Sequence, residues 1–231
     1  SKKLERLPPY IFTRIKALAA QAVARKLDVI DLGMGNPDLP TPPHIVARLI
    51  DTVKNHPRTH RYPQAKGIPR FRRAVAAWTE KRFGVKLDPE KEVLSLVGSK
   101  EGVAHLCAAY LDPGDVALVP VPTYPVHLNG VYLAGGTVQT LPLTAANGFL
   151  PEYGKIPKTA LKRAKILFLN YPNNPTAAVV EDPAFFKDTI RFAKKHDLLV
   201  AFDNPYSELT YDGYVAPSFL QFPGARDVGI E

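Results

Sequence analysis

The sequence predicts an α/β fold, in which helices cover both faces of a mostly parallel β-sheet. Short apolar runs alternate with longer segments of helical character along most of the chain, which is the pattern of repeated strand and helix units. The apolar runs are nearly uninterrupted, as at residues 116–119 and 198–202, and this is typical of strands buried on both faces. Polar and glycine-rich turns follow several of these runs, at the strand ends where such folds place ligand groups.

Local signals predict the individual elements in order. An apolar stripe predicts an N-terminal helix over residues 10–26, and a turn-rich run with four prolines, residues 33–43, joins it to the body. Asp182 as the cap and Pro183 at the first position predict the start of the last helix. The remaining helices are predicted near residues 44–55, 68–83, 100–110, 125–134 and 183–196, and strands near 93–97, 116–119, 137–141, 165–169 and 198–202.

Composition indicates a globular protein with a sizeable core. The 231 residues are 45% hydrophobic, which suits one large domain or one domain and part of another. No apolar stretch approaches the roughly 18 residues needed to span a bilayer, and the basic start does not resemble a signal peptide, so no membrane partner is expected. The single cysteine, Cys107, excludes an internal disulfide framework and favours a cytoplasmic location.

The formal net charge of +8 is concentrated in the first hundred residues. Arg58, Arg61, Arg70, Arg72 and Arg73 contribute most visibly to this basic excess. Such a patch can bind nucleic acid. Because no nucleic-acid-binding motif accompanies it, a solvated helix face or a rim around an acidic substrate is the preferred interpretation.

Asp203 is the most informative residue of the chain. It ends the apolar run 198–202 and is followed by Asn204, Pro205 and Tyr206. A carboxylate at the end of a buried strand costs free energy unless a cationic or protonated group meets it, and the protonated nitrogen of a bound pyridine ring would suit it. The alternative is an aspartate that only caps the following loop.

A second candidate site follows the predicted strand at 165–169. There the segment NYPNNPT, residues 170–176, ends the strand sharply and directs side-chain amides out of its carboxyl end. Asn174 could donate to an oxygen on a ligand ring. The alternative is that the Asn-Pro pair is merely a turn.

A third candidate site is the segment GSKEG, residues 98–102, which opens a predicted helix. Glycine permits a tight turn, and the free amide groups of a helix start can bind a phosphate, to which Ser99 would add a hydroxyl. The alternative is that Ser99 is only the helix N-cap.

A fourth candidate, Tyr124, lies in the segment VPTYP at residues 121–125. The flanking prolines limit its backbone freedom, so the ring could present a flat face to a planar heterocycle. A tyrosine of the protein core is the alternative.

Taken together and in this order, these segments resemble the pyridoxal-phosphate (PLP) enzymes of fold type I, and among them the class I and II aminotransferases. The resemblance covers essentially the whole chain, from GMGNPD at residues 33–38 through YPQAKG at 62–67 to beyond Tyr206. The segments YPQ, GSKE and YPNNP are most similar to the subgroup that contains LL-diaminopimelate and alanine aminotransferases. The resemblance implies PLP as the cofactor and the large domain of fold type I plus an incomplete small domain.

The resemblance also implies a role for each matching residue, and a homodimer. Asp203 would pair with the ring nitrogen and keep it protonated, so that the ring withdraws electrons. The other implied contacts are Asn174 and Tyr206 to the phenolic oxygen, Tyr124 stacked on the ring, Ser99 and the Lys100 amide at the phosphate, Tyr62 from the neighbouring subunit at the same phosphate, and Gly35 at the substrate carboxylate. Asp203 and Tyr206 are thus the catalytic candidates, and no metal is expected.

In the family, the catalytic lysine that forms a Schiff base with PLP lies some thirty to thirty-five residues after the aspartate that matches Asp203. That count passes Glu231, so the present chain is expected to be part of a longer protein and to lack this lysine. Two family arginines, one at the phosphate and one at the substrate carboxylate, are expected beyond Glu231 as well. Residues 1–43 are assigned to an N-terminal helix and arm of the small domain, and 44–231 to the incomplete large PLP-binding domain.

The implied activity of the full-length protein is that of a transaminase of the EC 2.6.1 type, acting in amino-acid biosynthesis. It would move an amino group between an amino acid and a 2-oxo acid, with glutamate and 2-oxoglutarate as one pair and an LL-diaminopimelate- or alanine-type donor. Lyases and synthases of the same fold share these cofactor contacts and are the first alternative. A non-catalytic PLP-binding regulator domain and a catalytically silent scaffold are the others.

Overall fold

The computed structural model describes residues 1–8, 11–33, 35 and 38–231, with the backbone alone at residue 11. These residues form two compact units, one made of Ser1–Leu7 and Ala65–Glu231 and the other of Pro8–Gln64. The division differs from the predicted boundary at residue 43, and the assignment of residues 1–43 to a small domain stays a prediction. Residues 34, 36 and 37 of the GMGNPD segment and residue 10 lie outside the described residues.

The smaller unit contains two α-helices, α1 at Ile11–Ala24 and α2 at Pro43–Asn55. Both agree with the predicted helices to within the usual uncertainty of helix ends. In the larger unit the elements are α3 (Pro69–Phe83), α4 (Ser99–Tyr110), β1 (Val116–Val121), α5 (Val126–Ala134), β2 (Thr137–Pro142), α6 (Lys158–Leu161), β3 (Ala164–Leu169), α7 (Ala184–His196), β4 (Leu199–Phe202) and β5 (Gly229–Ile230).

The five strands form one sheet in the order β2-β1-β3-β4-β5, and all neighbouring pairs are parallel. Alternate residues of the central strands face opposite sides, as the period of two requires. On one side Leu167 and Val200 pack with Phe186 of α7, and on the other Phe168 packs with Cys107 of α4. The predicted α/β fold with helices on both faces is therefore confirmed.

One predicted strand is wrong. Residues 93–97 form no strand, because nothing in the described chain supplies a neighbouring strand for them. Val93 is buried, but Val97 is 90% exposed, and the amide of Ser95 donates only to the carbonyl of Lys66, at 3.1 Å. An apolar composition favours extended backbone, yet a strand also needs a ladder partner.

Two short elements and one helix start were not foreseen. The four-residue α6 and the two-residue β5 are too short to produce a periodic pattern. Helix α7 begins at Ala184, one residue later than predicted, and its N-cap is Pro183, so the predicted cap at Asp182 is wrong. Asp182 lies one residue before the cap and accepts the Ala184 amide at 2.8 Å. None of the helices in the described part of the chain combines the length and apolar character that a membrane span requires.

Candidate functional site

A cavity of about 190 Å³ lies where strands β1, β3 and β4 end. These three strands are neighbours in the sheet, so the loops that follow them converge at one edge. The cavity is lined by Ser99, Lys100, Tyr124, Asn170, Asn174, Asp203, Pro205 and Tyr206. The structure thus brings together six of the eight residues that the sequence analysis selected.

Three larger cavities lie elsewhere in the Ser1–Leu7 and Ala65–Glu231 unit, but their charges make them weaker candidates. In one, of about 650 Å³, Glu92 pairs with Arg226 and Asp227 pairs with Lys194. Another, of about 570 Å³, is lined by three lysines and no carboxylate. In the third, of about 360 Å³, Lys194 is already paired with Asp227, so none of the three brings an unpaired acid and an unpaired base into one space.

Asp203 is held in place from two sides. Its amide donates to the carbonyl of Leu169 at 2.8 Å, which extends the pairing of β3 with β4. Its Oδ2 lies 3.0 Å from Nε2 of His127, and the Asp203 side chain is 13% exposed. The second carboxylate oxygen, Oδ1, makes no hydrogen bond to a described residue, so it is available to a ligand.

His127 is a site residue that the sequence analysis missed. It lies on α5, its side chain is 1% exposed, and its ring stacks on Phe168 with centroids 5.2 Å apart. Because a carboxylate only accepts, Nε2 of His127 donates to Asp203, and Nδ1 then faces the Thr123 hydroxyl at 2.6 Å. The available signal was a lone histidine three residues after Tyr124 in an apolar helix, which alone is typical of a core residue.

Asn174 and Tyr206 come together at the second side of the cavity. The Nδ2 of Asn174 donates to the Tyr206 hydroxyl at 3.0 Å. The predicted pair is therefore adjacent, although the two residues are 32 positions apart in the sequence. Asn170, also missed, lies between this pair and Asp203 and is bonded to the main chain on both sides.

The start of α4 forms the third side. Gly98 is the N-cap, with φ of 81°, a left-handed conformation that glycine adopts without strain. Ser99 is the first helical residue, so the N-cap interpretation of Ser99 is wrong, and its hydroxyl makes no hydrogen bond within the described chain. The Nζ of Lys100 lies 5.7 Å from the centroid of the Tyr124 ring, and the two make a cation–π contact.

The two ends of the cavity carry opposite charges. The helix start and Lys100 make one end positive, and Asp203 makes the other negative. Lys100 has no acidic partner within the described chain, and the partner of Asp203 is a histidine instead of a lysine or arginine. No group of three or more potential metal ligands occurs among the described residues. The cavity therefore suits a planar ligand with an anionic group at one end and a protonated nitrogen at the other.

The two remaining predicted residues, Gly35 and Tyr62, belong to the Pro8–Gln64 unit. The side chain of Tyr62 is fully exposed, and, apart from the chain neighbours of Gly35, no atom of a described residue lies within 4 Å of a Cβ built on Gly35. Their roles stay predictions.

Comparison with known proteins identifies relatives over the full chain. The family model "Aminotransferase class I and II" matches residues 27–222. The chain is 53% identical over its whole length to an LL-diaminopimelate aminotransferase from Moorella thermoacetica and covers 59% of that protein. It is 52% identical to the enzyme of the same name from Desulforudis audaxviator, and covers 58% of it.

Solved structures similar to this chain also cover nearly its whole length. BacF from Bacillus subtilis, in its apo form, superposes with a TM-score of 0.89 at 38% identity, over 99% of this chain and 58% of that one. A probable N-succinyldiaminopimelate aminotransferase from Thermus thermophilus superposes with a TM-score of 0.87 at 37% identity, over 95% of this chain and 58% of its own. The chain thus spans somewhat less than 60% of the length of the relatives that it matches.

Proposed function

Because the chain belongs to the class I and II aminotransferases, we propose that the whole protein transfers amino groups between amino acids and 2-oxo acids, with PLP as its cofactor. The observation that carries the proposal is the convergence of Ser99, Tyr124, Asn174, Asp203 and Tyr206 around one cavity. Four of them, Ser99, Tyr124, Asn174 and Asp203, were selected from separate sequence signals, each for a different part of the ligand, and Tyr206 shares the part assigned to Asn174. Independent signals that meet in one place support a single ligand better than any of them does alone.

The residues present fit PLP. The phosphate needs donors, and the start of α4 offers backbone amides together with the unbonded hydroxyl of Ser99. The protonated ring nitrogen needs an acceptor, and Oδ1 of Asp203 is unused. The cavity volume, about 190 Å³, is below the roughly 300–1,000 Å³ of typical small-molecule pockets, so we expect other parts of the protein to complete its wall.

Asp203 carries the main electronic role in this proposal. When bound, PLP supplies an electron-withdrawing ring that acidifies the alpha proton of the amino acid, provided that its ring nitrogen stays protonated. A carboxylate beside that nitrogen favours the protonated form. His127 holds the carboxylate through Oδ2 and leaves Oδ1 for the ring, and the Thr123 hydroxyl fixes the orientation of His127.

The other lining residues bind and orient the cofactor. Asn174 and Tyr206 would donate to the phenolic oxygen of the ring, and Tyr124 would stack against its face. Ser99 and the Lys100 amide would bind the phosphate. The Lys100 side chain lies beside Tyr124 at the phosphate end, so we assign the catalytic lysine to another part of the whole protein.

The proposed donor is LL-diaminopimelate, with 2-oxoglutarate as acceptor. The proposal is supported by relatives of that name at 52–53% identity over the whole chain. Full-length protein should form glutamate from 2-oxoglutarate with LL-diaminopimelate, and faster than with alanine or aspartate. If none of these donors yields glutamate, and ammonia or a cleaved side chain is released instead, the lyase alternative replaces the transaminase.

We also propose that the protein acts as a homodimer, in which Tyr62 of one subunit binds the PLP phosphate of the other. Tyr62→Phe should then raise the PLP dissociation constant about 10- to 100-fold, because a hydrogen bond to a charged group is lost. Titration of the apoprotein with PLP measures this, and Tyr211→Phe, at an exposed tyrosine outside the cavity, is the control. Unchanged PLP affinity in a dimeric variant would refute the role.

Ser99→Ala should weaken PLP binding about tenfold, because the hydroxyl is a donor to the phosphate and has no structural partner to lose. The same titration measures it. Thr159→Ala, at an exposed threonine on α6, provides the control. Equal affinities for both variants would place the phosphate elsewhere.

A cytoplasmic location remains part of the proposal. Its basis is Cys107, which is a buried free thiol packed between the sheet and α5. Burial raises the pKa of this thiol to about 11, so it stays protonated and unreactive at neutral pH. The chain therefore has no need of an oxidising compartment.

A further inference from the structure

The side chain of Asn170 joins the two halves of the cavity. Asn170 directly follows β3 and is 3% exposed. Its Nδ2 donates to the backbone carbonyl of Asp203 at 2.7 Å, and its Oδ1 accepts the backbone amide of Asn174 at 2.7 Å. Both ends of one buried amide are therefore occupied, one at the end of β4 and one in the loop after β3.

These two bonds begin where the sheet ends. The last paired residues of β3 and β4 are Leu169 and Phe202, and the Asp203 amide still reaches the Leu169 carbonyl. Beyond that point the pairing of β3 with β4 ends. The side chain of Asn170 bonds the Asp203 carbonyl in place of a further backbone hydrogen bond between the two strands. It also bonds the Asn174 amide and so closes the turn that contains Asn174.

We infer that Asn170 is a positioning residue that fixes Asp203 and Asn174 relative to each other. The inference rests on the proposed function, in which these two residues contact the PLP ring at its nitrogen and at its phenolic oxygen. A rigid planar ring can satisfy both contacts only if their spacing is held to within about 0.5 Å. Asn170 bonds the backbone of both residues, so it controls that spacing without touching the reacting atoms.

The chemistry of the two bonds requires asparagine. Aspartate has nearly the same shape and keeps the acceptor for the Asn174 amide, but it has no donor for the Asp203 carbonyl. Alanine keeps neither bond and leaves both partly buried main-chain groups without a partner. The two variants Asn170→Asp and Asn170→Ala therefore remove the bonds in steps.

The same loop offers a matched control, Asn173. It is 4% exposed and accepts the hydroxyl of Thr176 at 2.8 Å and the Thr176 amide at 3.3 Å, and its side chain makes no hydrogen bond to Asp203 or Asn174. Asn173→Ala therefore removes a buried amide of the same size from the same loop. It should cost comparable thermal stability of the apoprotein while leaving the spacing of the two ring contacts intact.

The test uses full-length protein and four variants, Ala and Asp at each of the two positions. Titration of each apoprotein gives the PLP dissociation constant, and the visible absorbance of bound PLP is followed against pH. Asn170→Ala should raise the dissociation constant about tenfold or more and shift the pH midpoint of the absorbance change. Asn170→Asp, which replaces the donor to the Asp203 carbonyl by an acceptor oxygen and adds a negative charge, should also raise the dissociation constant, and both Asn173 variants should bind PLP as wild type does.

The outcomes separate the inference from the function on which it rests. If wild type fails to bind PLP, the proposed function is refuted. The positioning role is refuted if wild type binds PLP but the Asn170 and Asn173 variants lose PLP affinity to the same extent. It is also refuted if neither Asn170 variant moves the pH midpoint of the absorbance change. Should Asn170→Ala fail to fold, Asn170→Asp, which preserves volume and one bond, decides the question.

Discussion

Asp203→Asn in the full-length protein is expected to retain PLP and to lose about 10²–10³-fold or more of its turnover. The amide keeps the size of the carboxylate and one acceptor oxygen for His127, and its NH2 group can donate to an unprotonated ring nitrogen, so the cofactor can still be held. It carries no charge, however, and no longer favours the protonated ring nitrogen. Turnover of LL-diaminopimelate with 2-oxoglutarate, together with the PLP content of the purified protein, measures both parts of the expectation.

The control for this substitution is Asp212→Asn. Asp212 is exposed, lies outside the cavity and makes no ion pair with a described residue, so the same chemical change there should leave turnover unaffected. A near-normal rate for Asp203→Asn would remove Asp203 from the proposed mechanism. Loss of PLP together with activity would instead indicate a role in binding.

Phe186→Ala is expected to lower the free energy of unfolding by about 3–5 kcal/mol. Phe186 of α7 is 1% exposed, and its ring contacts those of Phe202, Phe219 and Phe222, with centroids 4.7–6.3 Å apart. Removing the ring leaves a cavity under the edge of the sheet that ends in Asp203. Urea unfolding of the full-length apoprotein, followed by fluorescence, measures the loss.

Phe71→Ala serves as the matched control, because Phe71 lies on α3 and is about half exposed. It should cost much less stability than Phe186→Ala. A loss of less than about 1 kcal/mol at Phe186 would mean that α7 does not pack on the sheet as described. PLP affinity should fall together with stability, since Asp203 directly follows β4, on which Phe186 packs through Phe202.

The sequence predicts the framework of the site because each of its signals is local. A buried strand that ends in Asp203, a turn that contains Asn174 and a helix that begins at Ser99 can each be recognised within a few residues. The rule that parallel strands present their carboxyl ends at one edge then brings Asp203 and Asn174 together. Ser99 follows no strand of the sheet, and it reaches the same cavity because α4 packs on the sheet through Cys107.

The residues that were missed depend on contacts between distant parts of the chain. His127 is 76 positions from Asp203, and Asn170 is 33 positions from it. Nothing in the neighbourhood of a single buried histidine or turn asparagine distinguishes a partner of the site from a core residue. The strand predicted at residues 93–97 is wrong for the same reason, because composition does not reveal whether a neighbouring strand is present.

The central claim is that Asp203 keeps the PLP ring nitrogen protonated. The most direct measurement is the nitrogen-15 NMR shift of the ring in full-length protein loaded with labelled PLP. A protonated nitrogen throughout the neutral pH range in wild type, and an unprotonated one in Asp203→Asn, is the predicted result. An unprotonated nitrogen in wild type, or the same shift in both proteins, would contradict the claim.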